Sequence, residues 1–350
     1  MYNTPCNVLY IAMPDHHSNL AQAAYSDLIS SLRDEAVASI IGTPRCETRN
    51  GRSYWYDVYR VGSDVRKRYL GEDDAQTRDW IARHADLAAR ASHSAQDRQR
   101  LIRILRAEGF QPLDTPTGSL LSALTRAGTF RLGGTLVGTG AFRHYEGELG
   151  IRMRQTEILS TGDIDIAQFE RLSLTLGDTV EEPLSTAFAE LDFEPTPTLD
   201  HRSIWRWRQS RSNIQIEFLT PSFRPEEDIR DLPALGVSAQ SLHYLNYLIA
   251  EPIKAAALYR AGLLIQIPRP ERFAIHKLIV ADRRRGGPDQ IKSRKDRAQA
   301  ALLIRTLAED RPDDLREAYE DARSRGPRWE ARIDASLKRL PESAALLAAL

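Results

Sequence analysis

The chain has 350 residues and 48 Lys plus Arg against 48 Asp plus Glu, so no net basic field draws it wholesale onto nucleic acid. That length and a hydrophobic share of 42% allow a sizeable core and, as a prior, about two domains. The two cysteines, Cys6 and Cys46, stand far apart and argue against a disulfide framework or a thiolate zinc site.

Residues 1–14 lack the basic flank and long apolar core of a signal peptide, and no apolar run is long enough to span a bilayer, so the expected location is the cytoplasm. After an apolar run at 8–13, Asp15, His16, His17 and Ser18 read as a helix start, and Leu20, Ala23, Ala24, Leu28 and Leu32 recur at helical spacing. Adjacent histidines at a helix start rarely face one ion, so both are expected to cap or to meet solvent. Arg49-Asn50-Gly51 signals a turn, and strands over 54–60 and 65–70 flank a second turn at Gly62-Ser63-Asp64. This hairpin mixes aromatics with Arg66, Lys67 and Arg68. Such a mixture can stack on bases and hold phosphates. It is also the pattern of a half-buried strand, and packing is its expected role. A polar helical stretch over 73–109 ends at Gly109, a C-cap.

A second unit opens at Leu113-Asp114-Thr115-Pro116. Residues 119–127 read as helix, 130–137 as strand and 141–149 as helix, with Gly138-Thr139-Gly140 between the last two. Free N–H groups at a helix start, with glycines permitting close approach, make a phosphate cradle, and Thr139 adds a hydroxyl. A Gly-x-Gly alone is equally a plain tight turn, and Gly133-Gly134 competes for the role.

The stretch Thr161-Gly162-Asp163-Ile164-Asp165-Ile166 places two carboxylates two residues apart in an apolar frame, so a strand points both to one face. Like charges held together repel, and a divalent cation removes the repulsion. Mg²⁺ takes one or two carboxylates together with substrate phosphates and water. A strand end with two solvated acids is the plain alternative.

Residues 166–171 and 180–191 read as helices, the second with Pro183 in its first turn, and 192–200 as a Pro-rich connection. Strands over 203–208 and 214–219 meet at a turn over 210–213. Glu217 is an acid in a largely apolar strand. An unpaired buried charge is costly, so it is expected beside a cation or at a rim. Asp192 and Glu194 are rivals for a third carboxylate, in a predicted loop beside Pro195. Residues 238–257, with Leu242, Leu245 and Leu248, read as helix broken at Pro252. A strand at 263–268, a loop at 286–288, a helix at 298–307 and a charged helical region from Pro312 follow. The apolar tail at 346–350 is too short for a membrane anchor.

Gly138-Thr139 before a helix, Asp163-x-Asp165 on a strand and Glu217 on a later strand resemble the nucleotidyltransferase superfamily that includes DNA polymerase β. There a Gly-Ser or Gly-Gly turn precedes an Asp-x-Asp strand and a third acid. The resemblance covers roughly residues 119–221, and 273–278 with Lys295-Asp296 resemble the helical half of AbiEii-like nucleotidyltransferases. Thr139 stands where Ser or Gly is usual, and the interval from Gly138 to Asp163 is longer than in the smallest members. The resemblance implies an α+β protein: a mixed-sheet core at 119–225, an N-terminal helical region with a β-hairpin at 1–118, and a C-terminal helical domain at 226–350. It implies that Asp163 and Asp165 hold Mg²⁺ against the triphosphate of an NTP, ATP among them. Glu217 would complete a second metal position and help deprotonate the acceptor. Gly138, Thr139 and Gly140 would bind phosphates, and Lys277 and Lys295 would offset charge on the leaving pyrophosphate. A solvated helix face is the plain alternative for both lysines. The implied reaction moves a nucleoside monophosphate to a hydroxyl on a protein side chain, an RNA end or a small molecule, with an antitoxin-like partner possible and no membrane involved. A regulatory module of the same fold that binds nucleotide without turnover is the rival, and a nucleic-acid binder using the hairpin is a third reading.

Overall fold

A computed structural model describes residues 15–38, 42–61, 64–153, 162–197, 203–212, 214–286 and 289–350. The apolar run at 8–13, Gly62-Ser63, Thr161, Asn213 and Gly287-Pro288, which carry expectations above, lie outside the described residues.

Helix α1 (Asn19–Ala38) turns Ala21, Ala24, Leu28 and Leu32 inward. They pack with Ile102 and Leu105 of α3 (His84–Ala107), which follows α2 (Ala75–Ala82). Between α1 and α2 lies an antiparallel sheet of β1 (Thr43–Arg49), β2 (Arg52–Val61) and β3 (Asp64–Glu72), where a two-stranded hairpin was expected. The added strand, TPRCETR, carries no apolar alternation to betray it; the turn at Asn50 and Gly51, both at positive φ, joins it to β2. Tyr54, Tyr56 and Tyr69 are buried in the main core, as the packing reading expects. His17 departs from its expected cap or solvent role: it is buried, stacked on Phe110 at 4.0 Å between ring centroids, with Nε2 3.3 Å from Glu146 Oε1.

Helix α4 (Thr115–Arg126) starts earlier than residue 119 because Asp114 accepts a hydrogen bond from Thr117 N at 2.9 Å and Pro116 fits the first turn. The expected strand at 130–137 shrinks to β4 (Thr135–Val137). Gly128 and Gly133 at positive φ, with Leu132 N bonded to Gly128 O and Gly134 N to Thr129 O, coil the preceding residues. Lys254 Nζ holds this coil by donating to Phe130 O at 3.0 Å and to Gln266 Oε1 at 2.8 Å. The expected helix at 141–149 is two short ones, α5 (Gly138–Phe142) and α6 (Tyr145–Leu149).

Next come β5 (Asp163–Ala167), α7 (Glu170–Thr175), α8 (Leu184–Glu190), β6 (Phe193–Pro195), β7 (Arg206–Gln209) and β8 (Gln215–Pro221). Pro183 immediately precedes α8, so that helix begins later than residue 180. Residues 238–257 are not the expected helix. They supply β10 (Val237–Leu242), one helical turn α9 (Leu245–Leu248) and β11 (Ile253–Ala257), with β9 (Ile229–Leu232) before them. Tyr244 and Glu251 take positive φ and break any continuous helix. β10 also finds ladder partners on both sides, β8 in parallel and β9 antiparallel. The leucine spacing is shared by a strand end and a single turn. Residues 226–257, expected to be helical, therefore carry three strands, and the expected strand at 263–268 is β12 (Leu263–Ile267), which pairs with β11.

Among the described residues seven strands form the main mixed sheet, in the order β4-β5-β8-β10-β9, with β7 also on β8 and β6 on β7. The remaining helices are α10 (Pro270–Arg283), α11 (Gln290–Asp310), α12 (Pro312–Ser324), α13 (Pro327–Leu337) and α14 (Pro341–Ala349). With helices before and after a mixed sheet, the fold is α+β. Phe273 of α10 meets Tyr145 at 5.1 Å and Phe142 at 6.1 Å between centroids, fixing α10 against α5 and α6. No described helix is long and apolar enough to cross a membrane.

Candidate active site

Strand alternation builds the site. Ile164 and Ile166 of β5, with Ile216 and Phe218 of β8, are buried on one face of the sheet. Asp163 and Asp165 take the other. β5 and β8 run parallel with Asp165 opposite Glu217 and Asp163 opposite Gln215, so Glu217 shares the aspartates' face. On the other side of β5, Val137 is opposite Asp165, which delivers the following Gly138 to the same carboxylate.

Gly138 is at φ +63°, and a Cβ there would lie 2.3 Å from Asp165 Oδ2. Only a residue without a side chain permits this approach. Of the two glycine pairs, it is Gly138 that lies against this carboxylate, whereas Gly133 faces Leu172. Thr139 and Gly140 follow in the first turn of α5, both partly exposed.

Among the described residues the side chains of Asp163 and Asp165 have neither a hydrogen bond nor an ion pair. Asp165 is pushed up to about 7, first by burial, then by the charges of Glu217 and Asp163, against the pull of Lys277 and Arg284. Burial also raises Glu217, with Arg206 and Gln215 opposing and Asp163 reinforcing. Arg206 Nε lies 2.9 Å from Glu217 Oε1, and Gln215 Nε2 donates to the same oxygen at 2.5 Å. Glu217 thus has the cation its sequence setting called for. Among the described residues, no three His, Cys, Asp or Glu side chains converge as a metal-holding group. The third acid is held aside by Arg206, while the two aspartates stand ready. Two unpaired carboxylates on one strand, one of them destabilised as an anion, fit a hard oxygen-seeking cation such as Mg²⁺.

The two predicted lysines fare differently. Lys277 is buried and donates to Asp296 Oδ1 at 2.5 Å; Arg284 Nη1 donates to Asp296 Oδ2 at 2.9 Å. The first of these is therefore an internal ion pair, neither a wet helix face nor an open phosphate ligand. Lys295 is half-buried, its pKa lowered by burial and by Lys277, with Asp296 and Asp163 opposing. Lys292, on the same first turns of α11, lends its charge to Glu217. Sequence reasoning gave no role to Arg206, Arg284 or Lys292, and named Asp296 beside Lys295 without seeing its pairing with Lys277. Arg206 had a signal, its place in the alternation of a predicted strand.

The nucleotidyltransferase family matches residues 115–324, well over half of the chain. The chain belongs to the nucleotidyltransferase family. In this nucleotidyltransferase the matched segment holds the aspartates, Gly138, Glu217 and the Lys277–Asp296 pair, and it runs past residue 225 through α10, α11 and α12. Residues 20–79, which include α1 and the three-stranded sheet, match a domain of unknown function (DUF6788). No curated protein and no solved structure matches the chain.

The pKa of Asp165 has a measurable consequence. It lies above the ordinary 3.8, so the folded state holds a proton that the unfolded chain has released, and stability falls as pH rises from about 4 to about 7. Asp165→Asn is expected to stabilise the metal-free nucleotidyltransferase by about 2–4 kcal/mol at pH 8 and by little at pH 4, read by urea denaturation. Divalent-ion affinity, read by calorimetry, should rise about tenfold per pH unit up to about pH 7 and then level, because binding displaces that proton. A flat profile would contradict the assignment.

Proposed function

We propose that this nucleotidyltransferase moves a nucleoside monophosphate from an NTP to an acceptor hydroxyl, with Mg²⁺ held by Asp163 and Asp165. The observation that carries the reading is the Gly138–Asp165 approach, which brings the first turn of α5 against an unpaired carboxylate. Thr139 and Gly140 offer backbone N–H groups, and Thr139 a hydroxyl, to the triphosphate. When bound, the ion supplies charge compensation where the phosphates meet the two acids. The acceptor oxygen bonds to the α-phosphorus while the α–β phosphoanhydride bond breaks, and pyrophosphate leaves. Glu217 takes the hydroxyl proton, its basicity raised by burial, once Arg206 releases it. Lys295 and Lys292, whose charges are felt at Asp163 and Glu217, balance charge on the leaving group. Lys277 acts at one remove, fixing Asp296 and easing ionisation of Asp165.

The Arg206–Glu217 ion pair favours a second reading, a nucleotide-binding regulatory module without turnover. The AbiEii-like resemblance adds an antitoxin-like protein as a partner to seek. The test is pyrophosphate release from ATP, GTP, CTP and UTP with Mg²⁺, using cell extract as acceptor source. Release by the wild type that vanishes in Asp163→Asn/Asp165→Asn is the expected result. NTP binding without release would move the conclusion to the regulatory module, and no binding would overturn both.

A further inference from the structure

The polar face that carries the aspartates continues across the sheet. Asp165 is opposite Glu217, and Glu217 is opposite Arg206. In the next row Asp163 is opposite Gln215, Gln215 opposite Arg208, and Arg208 opposite Glu194 of β6. Strands about 4.8 Å apart put Arg206 and Arg208 roughly 10 Å from the aspartates on the same surface. There Glu194, Thr196, Arg208, Ser210, Arg211 and Ser212 line a groove of about 490 Å³. That volume falls in the range of about 300–1,000 Å³ usual for ligand sites.

The lining has a definite chemistry. Arg208 and Arg211 are exposed guanidinium groups suited to phosphodiester oxygens, while the neighbouring Ser210 and Ser212 hydroxyls already donate to Asp192 O and Gln209 Oε1. Asp192 lies 3.4 Å from Arg211, but both are exposed, and such a pair is weak enough in water for a phosphate to displace it. At the seam between groove and aspartates, the Arg206 guanidinium covers the Trp205 ring at 4.2 Å, and such planar groups are stacking partners for a base. Glu194 can accept a hydrogen bond from an exocyclic base amine. A protein acceptor would call for an apolar anchor. Among the described residues the large exposed apolar side chains, Leu20, Val65, Leu174, Phe223 and Ile291, all lie outside this lining, whose apolar members are Pro195 and Pro197.

We infer that the groove between β6 and β7 is the acceptor site and that it holds the end of a single-stranded polynucleotide, a conclusion that rests on the transferase reading above. The strand's phosphates lie on Arg208 and Arg211, and its terminal hydroxyl reaches past Arg206 toward the aspartates. Taking up the neighbouring phosphate also draws Arg206 from Glu217, freeing that carboxylate for the hydroxyl proton.

The experiment measures binding of short labelled RNA and DNA single strands to the full chain by fluorescence anisotropy, without NTP, over a series of salt concentrations. The wild type is expected to bind at least one of the two. Arg208→Glu/Arg211→Glu is expected to lose affinity by roughly tenfold or more, with the salt slope falling by about 1.4, or 0.7 per phosphate contact. NTP affinity unchanged in that variant reports an intact fold, and Arg208→Lys/Arg211→Lys should keep strand binding within a few-fold. Binding is read without turnover, so an enzyme that fails to release pyrophosphate leaves this result standing. Strand affinity unaffected by the charge reversal, a wild type that binds neither strand, or equal labelling of a protein in extract by wild type and variant would each overturn the assignment.

Discussion

Gly138→Ala is expected to lower nucleotidyl transfer at least about a hundredfold in a protein that still folds. Two effects combine at this residue. Its φ of +63° is left-handed backbone, which costs a residue bearing a Cβ about 1–2 kcal/mol. The new methyl would also lie 2.3 Å from Asp165 Oδ2, so either the carboxylate or the turn must give way. Asp165 is packed between Val137 of β4 and Glu217 of β8, and it has little room to retreat. A misplacement of about 1 Å at reacting groups is enough for a loss of this size. Pyrophosphate release is the readout, with thermal unfolding as the control. Activity within a few-fold of wild type would show that the Gly138 turn does not hold the nucleotide, and the cradle would have to be sought elsewhere.

Asp296→Ala is expected to cause the largest loss of stability of any single change near the site, about 3–5 kcal/mol by urea denaturation. The carboxylate receives Lys277 Nζ at 2.5 Å and Arg284 Nη1 at 2.9 Å, and both Lys277 and Asp296 are almost fully buried. Removing the acid strands an ammonium in an apolar setting over the Phe273 ring, where desolvation is no longer offset. The double variant Lys277→Met/Asp296→Leu removes both charges and should recover most of the loss, since the interior then holds no unpaired ion. Recovery of stability without recovery of activity would separate the structural work of the pair from its effect on Asp165. If Asp296→Ala costs less than about 1 kcal/mol, the pair is effectively solvated and the reading of Lys277 as internal is wrong.

What could be read from the chain depended on whether a feature is local. Asp163 and Asp165 were legible because Ile164 and Ile166 alternate with them, a period-two signal held within four residues. Glu217 was legible as an acid out of place in an apolar strand, although its register opposite Asp165 is a property of the folded sheet. Of the two glycine pairs, the resemblance pointed to Gly138-Thr139 with Gly133-Gly134 competing; that Gly138 meets Asp165 follows from the antiparallel pairing of β4 with β5. The failures were non-local. Residues 237–242 are a strand because β8 and β9 flank them, and no spacing of leucines reports that. β1 has a polar sequence and exists by pairing with β2. The role of Lys277 turned on Asp296, nineteen positions away on another helix. Arg206 mattered only once the strands were aligned, since its partner Glu217 lies across the ladder.

The aspartate pair is expected to support transfer of the α-phosphoryl group with its nucleoside. The most direct test incubates the full chain with Mg²⁺, cell extract and one NTP, labelled in parallel reactions at the α- or the γ-phosphate. Acceptor labelled from the α-position and not from the γ-position is expected, with pyrophosphate released in equal amount and neither product formed by Asp163→Asn/Asp165→Asn. Label arriving from the γ-phosphate, or α-label transfer that survives loss of both aspartates, would contradict it.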